Sequence, residues 1–127
     1  MKIIIFIILG IVALVVVFIA LSPTGASGVL NSQDFISKYK STQNAVLVDV
    51  RTPSEFNSGH IQGAINVDYE NTNFVSEVKK LDASKTYFVY CRSGNRSSKS
   101  VIIMKGNGIK NIYDLKGGIS NALELLK

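Results

Sequence analysis

The sequence has 127 residues, 14 Lys and Arg against 9 Asp and Glu, and a formal net charge of +5. That length suits one ordinary domain and not two. A single cysteine rules out an internal disulfide framework, and a single histidine, His60, distant from it in sequence, argues against a structural zinc site; the chemistry read below needs neither metal nor organic cofactor. The positive balance suits nucleic acid or anionic lipid. The lysines are scattered, however, with no basic run interleaved with aromatics, so they read as solvated surface and nucleic acid is not an expected partner.

From Ile3 to Leu21 every residue is apolar or Gly10. As a helix this run spans roughly 28 Å, close to the hydrocarbon thickness of a bilayer. A buried helix of a soluble core would carry a polar face, and this run has none. Two membrane readings fit. A secretory signal would end at a small-residue cleavage site, for which Thr24-Gly25-Ala26 is the candidate. A permanent single-pass anchor fits the length of the run better. Lys2 precedes the run, while Ser22 to Phe35 holds no Lys or Arg, which places the following domain on the outer face of the cell membrane. After cleavage the domain would instead be secreted or periplasmic. The expected organisation is an anchor or signal segment over 1–21, a small polar linker over 22–27 (Gly28 sharing its composition) and a domain over 28–127.

Asn31 to Lys40 reads as a short helix with Asn31 or Ser32 as its N-cap and Phe35, Ile36 and Tyr39 on one face. Ala45 to Val50 is a β-branched apolar run suited to a strand buried on both faces. Pro53 to Phe56 suits one helical turn opened by proline. Gly59 to Val67 reads as a turn into a second short strand, Asn73 to Leu81 as a helix, and Thr86 to Tyr90 as a third strand. Ser97 to Lys105 reads as a helix stopped by Gly106 and Gly108. Asn111 to Leu115 is a further strand, and Ser120 to Leu126 a last helix. Strands alternating with helices predict an α/β domain with a central parallel sheet and helices on both faces. Ligands of such sheets sit at the carboxyl ends of the strands, and Cys91 lies at one.

A lone buried cysteine is ordinarily a small hydrophobe. Around Cys91 the pattern is different: Arg92-Ser93-Gly94-Asn95-Arg96-Ser97 follows it and leads into a helix. Gly94 and Asn95 tolerate the backbone angles that turn successive N–H groups inward, making an anion-binding nest at a helix N-terminus. Those donors, with Arg92 and Arg96, favour a thiolate and would hold an oxyanion substrate. Phosphoester cleavage and sulfur transfer both use such a cradle. Cysteine phosphatases place one more residue between Cys and Arg, and the tighter ring here suits a single sulfur better than a tetrahedral phosphate.

Asp49-Val-Arg-Thr-Pro-Ser-Glu-Phe-Asn-Ser-Gly-His-Ile-Gln-Gly-Ala-Ile-Asn66, Cys91-Arg-Ser-Gly-Asn-Arg-Ser97 and Leu115-Lys-Gly-Gly118 together closely resemble the rhodanese family, and within it the small exported single-domain thiosulfate sulfurtransferases of bacteria. The resemblance covers about residues 28 to 127. It implies the rhodanese fold, a catalytic Cys91 that carries a persulfide, and substrate binding by Arg92, Ser93, Gly94, Asn95, Arg96 and Ser97, whose amides surround the outer sulfur. It implies as partners a small sulfur-donor anion and a thiol or protein acceptor; it leaves the oligomeric state open. One departure stands out. Many members have an aromatic residue shortly after the double glycine, and Ile119 to Leu123 has none, which loosens the final helix.

The remaining candidates read as support. His60 occupies a position that the family pattern gives to a structural turn, so a Cys–His dyad is not expected. Asp49, Arg51 and Glu55 read as an ion-paired brace, with Asp49 and Arg51 ending a strand on the Cys91 side and supporting its loop. Gly117-Gly118 permits a tight turn near the site. The alternatives to sulfur transfer are a non-catalytic or redox-signalling module at the membrane and, less favoured, a phosphatase or arsenate reductase.

Overall fold

The computed structural model describes residues 3–8 and 25–126. Residues 3–8 are helical, but most of the apolar run lies outside the described residues, and the expected anchor or signal segment with it. Among the described residues no helix is long and apolar enough to cross a membrane.

Five strands make one parallel sheet: β1 (Ser27–Leu30), β2 (Ala45–Asp49), β3 (Ile65–Asn66), β4 (Thr86–Tyr90) and β5 (Asn111–Leu115), in the order β1-β5-β4-β2-β3. Strands β4 and β2 lie inside the sheet, and their apolar runs bury both faces. Helix α1 (Ser32–Ser41) covers one face. Its N-cap is Asn31, whose side chain accepts from the Asp34 amide at 2.9 Å, and it seats Phe35 against Leu47, Phe88, Tyr113 and Leu115. Helices α3 (Phe74–Lys79) and α4 (Asn95–Gly106) cover the other, setting Phe74, Val78 and Met104 over Val48, Val89 and Ile112. Between β2 and β3 the short α2 (Pro53–Ser58) caps the carboxyl end of the sheet. Thr52 and Glu55 close a capping box around its start, and Pro53 supplies its fixed first turn.

Three expectations are corrected. The stretch Ser22 to Gly28 is not linker throughout, because Ser27 and Gly28 belong to β1 and pair with Ile112 and Tyr113. Just before them, the Ala26 carbonyl accepts from the Ile112 amide at 3.0 Å. The exposed edge of β5 needs backbone partners, and a small-residue segment supplies them with no side-chain pattern to announce it. Helix α4 starts at Asn95, ahead of Ser97, because Gly94 takes a left-handed conformation (φ 101°) that turns the chain straight into the helix. The expected last helix over Ser120 to Leu126 is instead two 3-10 turns, Ile119–Asn121 and Leu123–Leu125. They break at Ala122, which is fully buried with φ −147°.

Candidate active site

Strand β4 ends at Tyr90, so Cys91 stands at the carboxyl end of a central strand with the loop to α4 wrapped around it. Its side chain is 1% exposed. The Gly94 amide donates to Cys91 Sγ at 3.0 Å, and the thiol meets Ser97 Oγ at 3.3 Å. Ser97 is completely buried, so its part in the site is contact with the sulfur from the first turn of α4. Ser98 donates its amide to the Gly94 carbonyl at 3.1 Å, the first such bond of α4. The amides of Asn95, Arg96 and Ser97 therefore belong to the open first turn, where a helix has no internal acceptors for them. Arg92, Ser93 and Asn95 carry exposed side chains on the rim of the loop. The structure brings Cys91, Gly94 and Ser97 together within this loop.

Arg96 departs from its expected place. Its guanidinium grips Glu55 through two bonds, Nη1 to Oε1 at 2.6 Å and Nη2 to Oε2 at 3.0 Å, with Glu70 Oε2 at 3.4 Å from Nη1. A side chain held this way fastens the loop to α2. The hydrogen bonds to Glu55, and then the charges of Glu55, Cys91 and Glu70, hold the guanidinium above its ordinary value. The same bonds pull the Glu55 carboxyl down to about 2. Glu55 therefore belongs to a brace, as expected, but one with Arg96 across the site.

Asp49 and Arg51 form a separate, buried brace. Arg51 Nη2 donates to Asp49 Oδ2 at 2.7 Å and to the Gly59 carbonyl at 2.7 Å, and Asn66 ties the backbone carbonyls of both residues together. The Arg51 guanidinium lies 5.7 Å from the Tyr90 ring centroid, and the Tyr90 hydroxyl accepts from the Ile61 amide at 3.0 Å. Burial and the Asp49 charge push the Tyr90 phenol well up, so it stays neutral. This brace fixes the turn after α2 and the residue before Cys91. His60 completes that turn: Nδ1–H donates to the Phe56 carbonyl at 2.8 Å and the ring stacks on Phe56 at 3.7 Å.

The double glycine holds the loop from behind. The Ile119 and Ser120 amides donate to the Cys91 and Arg92 carbonyls, each at 2.9 Å. A Cβ on Gly118 would stand 2.5 Å from the Arg92 carbonyl, so only glycine lets the two backbones approach this closely. Beside the loop a cleft of about 410 Å³ opens between α2 and the C-terminal turns, lined by Arg51, Ser54, Ser58, Arg92, Ile119 and Leu123 among others.

One residue escapes sequence reasoning. Asp114 in β5 is 6% exposed, lies on the α4 side of the sheet beside Val89, and its Oδ1 has no hydrogen-bond partner. Burial pushes its carboxyl up. A carboxylate inside the apolar strand Asn111–Leu115 was the available signal. Among the described residues no cluster of His, Cys, Asp and Glu could hold a metal ion.

The family model for the rhodanese-like domain matches residues 32–124. The chain belongs to the rhodanese-like family. The thiosulfate sulfurtransferase GlpE of Pseudomonas syringae is 36% identical over 76 residues, covering 60% of this chain and 70% of that protein. A tRNA uridine(34) hydroxylase of Pelagibacter ubique is 33% identical over 92 residues, 72% of this chain and 31% of that protein, so the chain spans about a third of that relative. The crystal structure of a rhodanese-related protein from Thermoplasma volcanium superposes with a TM-score of 0.64 at 32% identity, covering 75% of this chain and 90% of that one. The central parallel sheet flanked by helices is thus the rhodanese fold.

Proposed function

We propose that this rhodanese-like domain is a sulfurtransferase that moves a sulfane sulfur from thiosulfate or a similar donor to a thiol or protein acceptor through a persulfide on Cys91. The observation that carries this reading is the Gly94 amide aimed at Cys91 Sγ within a loop that the first turn of α4 leaves rich in free donors. The thiolate attacks the outer sulfur of thiosulfate. The donor's S–S bond breaks, its electron pair leaves with sulfite, and the persulfide remains. An acceptor nucleophile then takes the outer sulfur and returns the thiolate. Arg92 meets the incoming anion from the rim, while Arg96 lends charge from its clasp with Glu55. The similarity to a thiosulfate sulfurtransferase supports this chemistry.

The apolar run from Ile3 to Leu21 supports reading this chemistry at a membrane, with the run as a single-pass anchor and the domain on the outer face. Full-length protein is expected in the membrane fraction at high salt, released by detergent; a soluble product starting near Ser27 would overturn the anchor. The reaction is tested by intact-mass measurement after thiosulfate treatment. Wild type should gain the mass of one sulfur, and Cys91→Ser should gain none. No gain from any sulfane donor would favour a binding module, and strong phosphatase activity would overturn the argument from loop length.

A further inference from the structure

The lysines that are scattered in sequence are gathered by the fold. In a parallel sheet every strand begins, and every covering helix ends, at the same end of the molecule. Helix C-termini favour cations, and Lys40, Lys79 and Lys105 stand in the last turns of α1, α3 and α4. Lys80 follows α3, and Lys85 and Lys110 immediately precede β4 and β5. All of these are exposed except Lys85, which is half-buried; among the described residues Glu77, paired with Lys80 at 3.0 Å, and Asp82 oppose them there, and Glu124 lines the clefts that Lys40 borders. The opposite end, around the cysteine loop, carries Asp34, Glu55, Asp68 and Glu70 against Arg92, Arg96 and Lys116. The domain is electrically polar from end to end.

The described chain enters the domain at the lysine end, where Gly25 and Ala26 lie beside Lys110 and Asn111. Ala26 donates its amide to Asn111 Oδ1 at 2.8 Å, and a Cβ on Gly25 would lie 2.6 Å from the Lys110 carbonyl oxygen. Leu21 precedes Gly25 by four residues, a reach of at most roughly 14 Å. That is comparable to the ~8–10 Å over which charge acts in physiological salt.

We propose that the lysine-rich end is a docking surface for a bilayer containing anionic phospholipid, seating the domain with the Cys91 loop facing away from the membrane. The inference rests on the reading of residues 3–21 as membrane-inserted, which brings headgroups to this face. Lysines spread over several helix and strand ends suit a plane of headgroups. A single-stranded nucleic acid would call for a groove with stacking aromatics. Helix α4 spans about 18 Å, so the loop stays in water where a small anion reaches it.

The test uses full-length protein with Cys91→Ser and one new cysteine, Asn107→Cys at the lysine end or Ser93→Cys at the loop, labelled with a fluorophore. The protein is placed in vesicles of phosphatidylcholine alone or mixed with phosphatidylglycerol, and acrylamide serves as the quencher. The Asn107 label should be shielded only in the anionic vesicles, and exposed again by high salt or by Lys79→Glu, Lys105→Glu and Lys110→Glu together. The Ser93 label should be quenched equally in both. Equal quenching at Asn107 in the two vesicles overturns the proposal, as does shielding by DNA without shielding by anionic vesicles. Flotation with neutral vesicles at high salt reads membrane insertion separately. Protein that fails to float there but is shielded by anionic vesicles loses the insertion reading and keeps the docking surface.

Discussion

Arg96 and Glu55, 41 residues apart in sequence, are joined by two hydrogen bonds of 2.6 and 3.0 Å that clasp the start of α4 to α2. The bond directions turn the guanidinium toward α2, so Arg96 braces the cysteine loop. Side-chain exposures of 20% and 29% leave the pair only partly shielded from water. Its worth therefore lies nearer the ~1 kcal/mol of a good surface pair than the range for a buried one.

Glu55→Gln should consequently slow sulfur loading of Cys91 although Glu55 touches no substrate. A loss of about 1 kcal/mol in loop positioning corresponds to roughly fivefold in rate. Arg96→Gln should cost more, since it also removes the positive charge. Combining the two should be less than additive, because both break one clasp. Stopped-flow loading of the three variants checks this, and full additivity would refute the clasp.

The same pair carries a pH signature. The Glu55 carboxyl is held at about 2, below its ordinary 4.5, so its contribution to stability is complete above 4.5 and is lost as pH falls toward about 2. In a pH series of thermal melts, the gap between wild type and Glu55→Gln should be constant near neutrality and close over that acidic window.

Asp114 has the opposite sign. Burial raises its carboxyl above 3.8, so ionisation opposes folding: the cost is absent below 3.8, grows as pH rises toward the folded value and is constant beyond it. Asp114→Asn should raise Tm at neutral pH and leave it unchanged near pH 3. A lower Tm at neutral pH would show that the ionised carboxylate has a stabilising partner.

Ser97→Ala removes a hydroxyl that donates to the Gly94 carbonyl at 3.2 Å and, for the reaction, its hydrogen bond with Cys91 Sγ at 3.3 Å. The lost hydrogen bond is worth about 0.5–1.5 kcal/mol, or roughly two- to twelvefold in loading rate. Circular dichroism should be unchanged. An unaltered rate would assign the control of the sulfur to backbone donors alone.

Gly118→Ala should be far more damaging than Gly106→Ala. At 118 the backbone has φ 63° and ψ −169°, and a Cβ would press on the Arg92 carbonyl; at 106 a Cβ would have nothing within 4 Å. The first change should cost more than about 1–3 kcal/mol and displace the loop. The second should be neutral or stabilising by about 0.4–1 kcal/mol. Denaturant melts and loading assays of the two variants measure the contrast.

The sequence by itself determined the four strands from Ala45 onward, the cysteine and its loop. Apolar β-branched runs such as Ala45 to Val50 have few places to go but the middle of a parallel sheet, and Cys91-Arg-Ser-Gly-Asn-Arg-Ser97 is a local pattern whose geometry follows from Gly94. Capping was also local, as Asn31 and the Thr52–Glu55 box show. What only the tertiary structure decided were the relationships between distant residues. Glu55 was read beside Asp49 and Arg51 because it is near them in sequence, yet the crossover through β3 and α3 returns Arg96 to it. Ser27 and Gly28 look like linker because backbone pairing leaves no trace in side-chain type. The C-terminal residues from Ile119 have the apolar content of a helix, but the amides of Ile119 and Ser120 are taken by the Cys91 and Arg92 carbonyls. The lysines are scattered in the chain and gathered in space, because a parallel sheet brings every helix end and every strand start to one side. Local patterns are written in consecutive residues; pairing and charge distribution depend on where the chain returns.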